Sequence, residues 1–280
     1  MKDLSNENII HIKKDNIEYL QFKRLLQYED IISHCYTLKN HDMDFSMHWD
    51  IPKYKPMVID NYKRICSELN MDYKQIVRPW QTHTGNIVKI EKKIIEDEPD
   101  INLNELKHID GVVTNKSNII LSTTNADCIL FLFFDPIKKV IGNVHSGWKG
   151  TLQKISRNAV EKMIFEYNCN PKDIICCISP SISKEHFCVH DDVEKPCRDI
   201  FAYTNRVNDF ISIGEIEDGK QKYYIDTVLI NKIILKDLGL KEENIIDSKI
   251  CSVKNADQMH SKRGNNNSFF GVNTALIELK

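Results

Sequence analysis

The sequence predicts a mixed α/β (α+β) fold, a single domain in which helices flank β-sheet of mixed strand direction. Three observations lead there. Strand-like and helix-like segments alternate irregularly, unlike the regular repeat of a doubly wound sheet. Residues 128–146 read as an antiparallel hairpin within a dense β region. No low-complexity linker and no internal repeat divides the 280 residues, a length suited to one large domain.

The elements follow in chain order. Ile59, Tyr62, Ile65, Cys66 and Leu69 recur at helical spacing, which predicts a helix over 59–70. A strand is expected at 86–90, then an acidic, loop-like stretch over 94–108. Four strand-like runs come next: "GVVTN", "NIILSTT", "CILFLFF" and "KVIGNVH". Residues 151–167 read as an amphipathic helix with Leu152, Ile155, Ala159 and Met163 on one stripe. "DIICCIS" reads as a buried strand. Residues 222–240 run from a strand into a helix that Gly239 ends. "NIIDSKICSV" reads as another strand, and the tail "FFGVNTALIEL" at 269–279 is ambiguous.

Composition narrows the function classes. Hydrophobic residues at 41% and charged residues at 28% fit a soluble globular protein. A formal net charge of -2 makes no electrostatic case for nucleic acid or an anionic membrane as partner. The longest apolar run, Cys128 to Phe134, is far short of a membrane span. The N-terminal stretch has no apolar h-region, so the expected location is cytoplasmic. Nine scattered cysteines with no Cys-x-x-Cys point to reduced thiols, most of them buried as small hydrophobes.

The hairpin carries the chemistry. Asp135-Pro136 and the lysines after it supply its turn. With Phe134 and Val140 flanking that turn, paired residue numbers sum to about 274 by antiparallel geometry. Cys128 then lies opposite a position near 146, beside His145. A thiol beside an imidazole reads either as nucleophile and base or as two ligands of a metal. The metal reading needs a third ligand, and His83 of "RPWQTHTGNIV" offers one next to a Thr-Gly turn. His83, Cys128 and His145 would make a three-ligand zinc site with an open position, the catalytic pattern.

"QTHTGNIV", "DGVVTN", "TNADCIL", "VHSGWKGT" and "SISKEHFCVHDDV" occur in the order and at the rough spacing of one family. From about Ile31 to the C-terminus the chain resembles the YfiH/YlmD-type family. Its members were once labelled multicopper polyphenol oxidases or laccases and are now regarded as purine nucleoside phosphorylases. The resemblance implies a layered α/β sandwich with mixed sheets and a metal held by His83, Cys128 and His145. It implies phosphorolysis of adenosine, inosine, guanosine and methylthioadenosine, with deamination of adenosine. The expected partners are purine nucleosides and phosphate, the expected ion zinc or else copper, and the expected assembly a monomer or homodimer.

Within that chemistry, Asp127, next to Cys128, is the first candidate for moving protons, and Asp110 of "IDGVVTN" the second. Trp148 is a candidate to stack on a purine. Lys149 and Arg263 are the candidates for holding an anion. The chain also departs from the family. Lys149 stands where many members have arginine, and Leu38 with Lys39 stands at an N-terminal Ser-Thr-Arg. "SKRG" keeps Ser261 and Arg263 but has Gly264 for a second arginine, and Gly271-Val272 replaces a Gly-Arg. Arginine grips phosphate bidentately and lysine only as a point charge, so phosphorolysis is the activity these changes weaken. "HFCVH", with His186, Cys188 and His190, looks like a second metal site, but its histidines are spaced too far apart for one small ion. A cysteine hydrolase using Cys128 and His145, acting on cell-wall peptide precursors, and a copper-dependent phenol oxidase are the rival readings. The absence of any His-x-His pair weighs against the oxidase.

Overall fold

Two mixed β-sheets lie face to face with helices on both outer sides, in a computed structural model that describes residues 2–14, 17–39, 43–46, 54–266 and 270–280. The first sheet runs Ile9–Lys14, Ile17–Phe22, Ile32–Thr37, Asn273–Leu279, Ile120–Asn125, Ile76–Arg78 and Asp100–Ile101 across its width. Its first five strands are antiparallel and the last two join in parallel. The second sheet runs Ile245–Asp247, Ile175–Ile178, Ile129–Asp135, Val140–Ser146, Gly111–Thr114 and Ile87–Lys89. Parallel pairs close both of its edges around an antiparallel centre.

The layering explains why "CILFLFF" lacks the alternation of a half-exposed strand. Leu130, Leu132 and Phe134 meet Leu121, Ala275 and Ile277 of the first sheet in the space between the sheets. Ile129, Phe131 and Phe133 point the other way, onto Ile155, Ala159, Val160 and Met163 of the helix Ile155–Tyr167. With both faces covered every position is apolar, and each fully buried Leu or Phe contributes about 1.5–3 kcal/mol. On the far side of the first sheet the helix Tyr54–Glu68 lays Val58, Tyr62 and Ile65 on Ile120 and Leu276. One polar residue fixes how the sheets face each other. The buried Asn143 side-chain amide donates to the carbonyls of Leu121 (2.9 Å) and Ala275 (2.8 Å), across the gap.

A smaller sheet, Cys188–Val189 with Lys220–Ile225 and Ile211–Glu217, stands at one end of the hairpin. The helices Asp191–Phe201 and Thr227–Asp237 complete its core, with Val193, Phe201, Ile230 and Ile234 inside. Asp226 caps the second helix by accepting from the Leu229 N–H at 2.8 Å, an interaction worth about 1 kcal/mol. Gly239, at φ +94, follows the end of that helix in the left-handed region where glycine is at ease. Trp148, Leu152 and Phe187 pack against this core. A cavity opens between it and the end of the hairpin.

Four expectations change in detail. The hairpin register pairs Val140 with Asp135 and Ser146 with Ile129, so paired numbers sum to 275 and Cys128 lies one residue beyond the ladder, level with Gly147. The 151–167 helix is two, Trp148–Leu152 and Ile155–Tyr167, separated at Lys154, which is left-handed at φ 54. The strand expected over 244–253 ends at Asp247, and the chain continues as a loop with one bridge from Cys251 to Ser181. The ambiguous tail holds Asn273–Leu279, a buried central strand of the first sheet, while Phe269 lies outside the described residues. Its ambiguity has a physical origin: a strand covered on both faces shows no period of two.

Candidate metal centre and its cavity

The hairpin ends set the centre. His145 is in the last strand, opposite Leu130, and Cys128 immediately precedes the first. Asp127 adopts φ 86 there, a left-handed turn that aspartate tolerates better than most residues. His83 arrives on the loop between Ile76–Arg78 and Ile87–Lys89, itself at φ 63. Its Nε2 is 3.8 Å from the Cys128 Sγ, and its ring meets that of His145 edge-on at 4.8 Å. The donor atoms of His83, Cys128 and His145 all lie within 4.8 Å of one another. A tetrahedral zinc with bonds of about 2.0–2.3 Å separates its donors by about 3.3–3.6 Å. The triad therefore fits such an ion after a small inward movement.

One carboxylate holds both histidines, His145 by its ring and His83 by its backbone N–H. Asp110 is fully buried, and its Oδ1 is 2.8 Å from the His145 Nδ1. The same Oδ1 accepts from the His83 backbone N–H at 3.0 Å. Its Oδ2 accepts from the Thr84 N–H and hydroxyl at 2.7 Å each, and from the Thr82 N–H at 3.2 Å. Asp110 thus clamps the 82–84 loop and turns His145 so that Nε2 faces the thiol, the usual outer-shell partner of a metal-binding histidine. Burial alone would raise its pKa, but His145 and Thr84 bring it down to about 2. It does not line the cavity, and all its partners are spoken for. Asp110, the second candidate for moving protons, is placed behind His145, away from the cavity lining.

The centre is electrostatically polarised without any ion. Burial would push the Cys128 thiol up, yet the His145 and His83 imidazoles outweigh it and lower the pKa to about 6. Burial would push His145 down, yet Cys128 and Asp110 raise it to about 9. Each group thus favours the charged form of the other, and thiolate is the form in which sulfur binds metal. The glycine of "HSGW" is a steric requirement. A Cβ at Gly147 would lie 2.5 Å from the His83 Cδ2 and 3.1 Å from the Cys128 Sγ.

Two members of the triad, His83 and Cys128, line a cavity of about 410 Å³. Asp127 and Cys128 form its floor, Trp148, Phe187 and Val193 give it apolar wall, and Lys262, Arg263 and His190 line it with charge and polarity. Asp127 accepts from the hydroxyls of Ser252 and Ser261 at 2.6 Å each and from the Arg263 N–H at 2.7 Å. Arg263 donates from a guanidinium nitrogen to the Cys188 carbonyl at 3.3 Å. Lys149 is not brought to the cavity. It is exposed, with its ammonium 5.5 Å from the centre of the Trp148 ring. Lys39 is likewise turned aside, donating to the Ala256 carbonyl at 2.7 Å, and Leu38 is buried. No side chain fits at Gly264, where a Cβ would lie 2.6 Å from the Ala256 Cβ. Val272 packs against the Tyr54–Glu68 side of the core. The "HFCVH" residues do not converge: His190 donates to the Gln221 carbonyl at 3.0 Å, while His186 turns toward Cys251. Lys262 is the cation that sequence reasoning passed over. Its position between Ser261 and Arg263, in a segment already singled out, was the available signal.

These features define an α/β sandwich with a cavity beside a His-Cys-His cluster whose donor atoms could hold a metal ion. The chain belongs to the family described as "Multi-copper polyphenol oxidoreductase laccase", whose model matches residues 41–280. It is 30% identical over 224 residues to the purine nucleoside phosphorylase YlmD of Bacillus subtilis (strain 168), a match covering 78% of each chain. It is 27% identical over 195 residues to the adenosine deaminase RL5 of an unknown prokaryotic organism, covering 70% of this chain and 72% of the other. The crystal structure of the Bacillus licheniformis hypothetical protein YfiH superposes with a TM-score of 0.83 at 24% identity, covering 96% of this chain and 99% of that one. That likeness bears on the fold. Among the described residues no helix is long and apolar enough to cross a membrane.

Proposed function

We propose that this protein is a zinc-dependent purine nucleoside enzyme. It cleaves purine nucleosides, methylthioadenosine among them, with phosphate to give the free base and the (methylthio)ribose 1-phosphate, and it deaminates adenosine. The observation that carries the proposal is the Asp110-backed triad of His83, Cys128 and His145, of which His83 and Cys128 line a 410 Å³ cavity. The relatives named purine nucleoside phosphorylase and adenosine deaminase support the substrate class.

One thiolate and two imidazoles with an open position suit zinc, which when bound polarises an oxygen of substrate or of phosphate. The same donors accept copper. Among the described residues, however, no other group of three or more His, Cys, Asp or Glu side chains could hold a second ion. That disfavours a multi-copper phenol oxidase.

The chain's own residues take the remaining roles. Trp148 and Phe187 offer flat apolar faces to a purine. In phosphorolysis a phosphate oxygen bonds to the anomeric carbon while the carbon–nitrogen bond breaks and the base leaves with its electron pair. Arg263 and Lys262 hold the anion. Asp127 has three donors on its carboxylate, which leaves about one lone-pair direction of four. That direction serves to accept and return a proton during deamination.

The lowered thiol of Cys128 beside the raised imidazole of His145 supports a second reading, a cysteine hydrolase. Chromatography of adenosine incubated with zinc-loaded protein, with and without phosphate and beside His83→Ala, separates the outcomes. Adenine formed only with phosphate and lost in the variant is the expected phosphorylase result, and inosine formed regardless of phosphate the deaminase result. No product in either tube would refute the purine reading and favour the hydrolase.

A further inference from the structure

We propose that Gln81 is a positioning residue of the metal centre, whose side-chain amide sets the spacing of His83 and Cys128 by holding the backbone of Thr124. The three donors form a triangle. Its Cys128–His145 side is fixed by the hairpin, whose ladder pairs His145 with Leu130. Its His83–His145 side is fixed by Asp110, which bonds the His145 ring and the His83 backbone N–H. Two fixed sides leave the angle between them free. Neither fastening runs from His83 to Cys128, where Nε2 and Sγ stand 3.8 Å apart.

Gln81 supplies that third fastening. Its Oε1 accepts from the Thr124 N–H at 2.8 Å, and its Nε2 donates to the Thr124 carbonyl at 2.8 Å. The strand Ile76–Arg78 pairs with Ile120–Asn125 only as far as Val77 with Leu121. Pro79 follows, with no N–H to give. A side-chain amide has both a donor and an acceptor group. The Gln81 amide therefore makes on Thr124 the two bonds that a neighbouring backbone would make.

What lies on either side of this contact makes it matter at the centre. Gln81 stands two residues before His83, which holds φ 63. A non-glycine residue stays in that region only where its surroundings fix it.

On the other side, Thr124 is followed by the buried Asn125. The Asn125 side-chain amide donates to the Cys128 carbonyl and, at 3.2 Å, to the Pro180 carbonyl. Its Oδ1 accepts from the Tyr36 hydroxyl at 3.0 Å. The end of the strand Ile120–Asn125 is thus a common anchor. Asn125 ties Cys128 to it, and Gln81 ties His83 to it. Donors held to one rigid element keep their spacing before any ion arrives.

This role rests on the reading of His83, Cys128 and His145 as a metal site, so the experiment reads the metal and not turnover. Full-length wild type, Gln81→Met and Gln81→Glu are stripped of metal and titrated with zinc against a chromophoric chelator. They are then loaded with cobalt(II), whose visible bands are strong in four-coordinate sites and weak in higher-coordinate ones. Methionine keeps the bulk of glutamine and loses both bonds. Glutamate keeps the shape and sets an oxygen against the Thr124 carbonyl. Zinc affinity should fall by about 10–100-fold in each variant, and the cobalt bands should weaken as His83 gives way to water. If Gln81→Met does not fold, the isosteric Gln81→Glu decides alone. A lower Tm of the metal-free variants with zinc affinity within about twofold of wild type and an unchanged cobalt spectrum would make Gln81 a brace of the fold only, and would overturn the proposal. Wild type that takes up neither ion would end the metal-site reading itself and this role with it, so the two failures are told apart.

Discussion

Asp110→Asn tests how the metal centre is held. The substitution keeps the shape and removes the charge. In the native protein the carboxylate accepts from the backbone of Thr82, His83 and Thr84, from the Thr84 hydroxyl, and bonds to His145. An asparagine has one accepting oxygen, so its NH2 would face at least one of these donors. Loss of one partner of a buried ion pair costs about 3–5 kcal/mol. For a chain of this size that lowers Tm on the order of 10 °C. Because the carboxylate orients His145 and seats the His83 loop, zinc affinity should fall by about 10–100-fold. Competition against a chromophoric chelator measures the affinity, and thermal denaturation of the metal-free protein measures the Tm. Asp110→Glu, which restores charge but lengthens the arm, separates charge from fit. A zinc affinity for Asp110→Asn within about twofold of wild type would refute the assignment of Asp110 as the residue that positions both histidines.

Three further outcomes follow from the same structure. In metal-free protein the rate of Cys128 alkylation should reach half its plateau near pH 6, because the imidazoles lower the thiol to about 6; saturating zinc should suppress it, and a midpoint at the ordinary thiol pKa would refute the ion pair. Gly147→Ala should weaken zinc binding with little change in secondary structure, since the added methyl meets the His83 ring and Cys128 Sγ; calorimetric titration with zinc reads this, and unchanged affinity would show that the site yields. Burial raises Glu278 from 4.5 to about 7. Its contribution to stability is therefore complete below pH 4.5 and is lost as pH rises through 7, roughly 3 kcal/mol in all. Urea unfolding across that range should show less of this decline in Glu278→Gln, and parallel curves for the two proteins would refute it.

Much of the centre could be read from the chain because it rests on local geometry. Cys128 and His145 are joined by one hairpin with a recognisable turn at Asp135-Pro136, and antiparallel pairing is simple arithmetic. The error of one residue came from the exact width of the turn. The helices were legible where one face packs and the other is wet. Helix 151–167 broke at Lys154, left-handed at φ 54, without a warning residue. Lys149 looked like a cavity residue by its place in "HSGWKGT". In a helix each residue turns about 100° from the last, so the turn that brings Trp148 to the cavity takes Lys149 away.

By itself the sequence determined a mixed α/β chain and the strand-like runs of its core, and it singled out His83, Cys128 and His145, which the fold brings together. Those follow from hydrophobic pattern, turn chemistry and the donor preferences of sulfur and nitrogen. Only the tertiary structure decided that Asp110 holds two histidines, that Asp127 is tied to Ser252, Ser261 and Arg263, and that Gly264 has no room for an arginine. It also decided that His186 faces Cys251 rather than a metal. Apart from the crowding at Gly264, which comes from nearby Ala256 and Ser261, these are contacts between segments separated by tens to more than a hundred residues. No local period records them, because they come into being only when two sheets and a loop close on the same few ångströms.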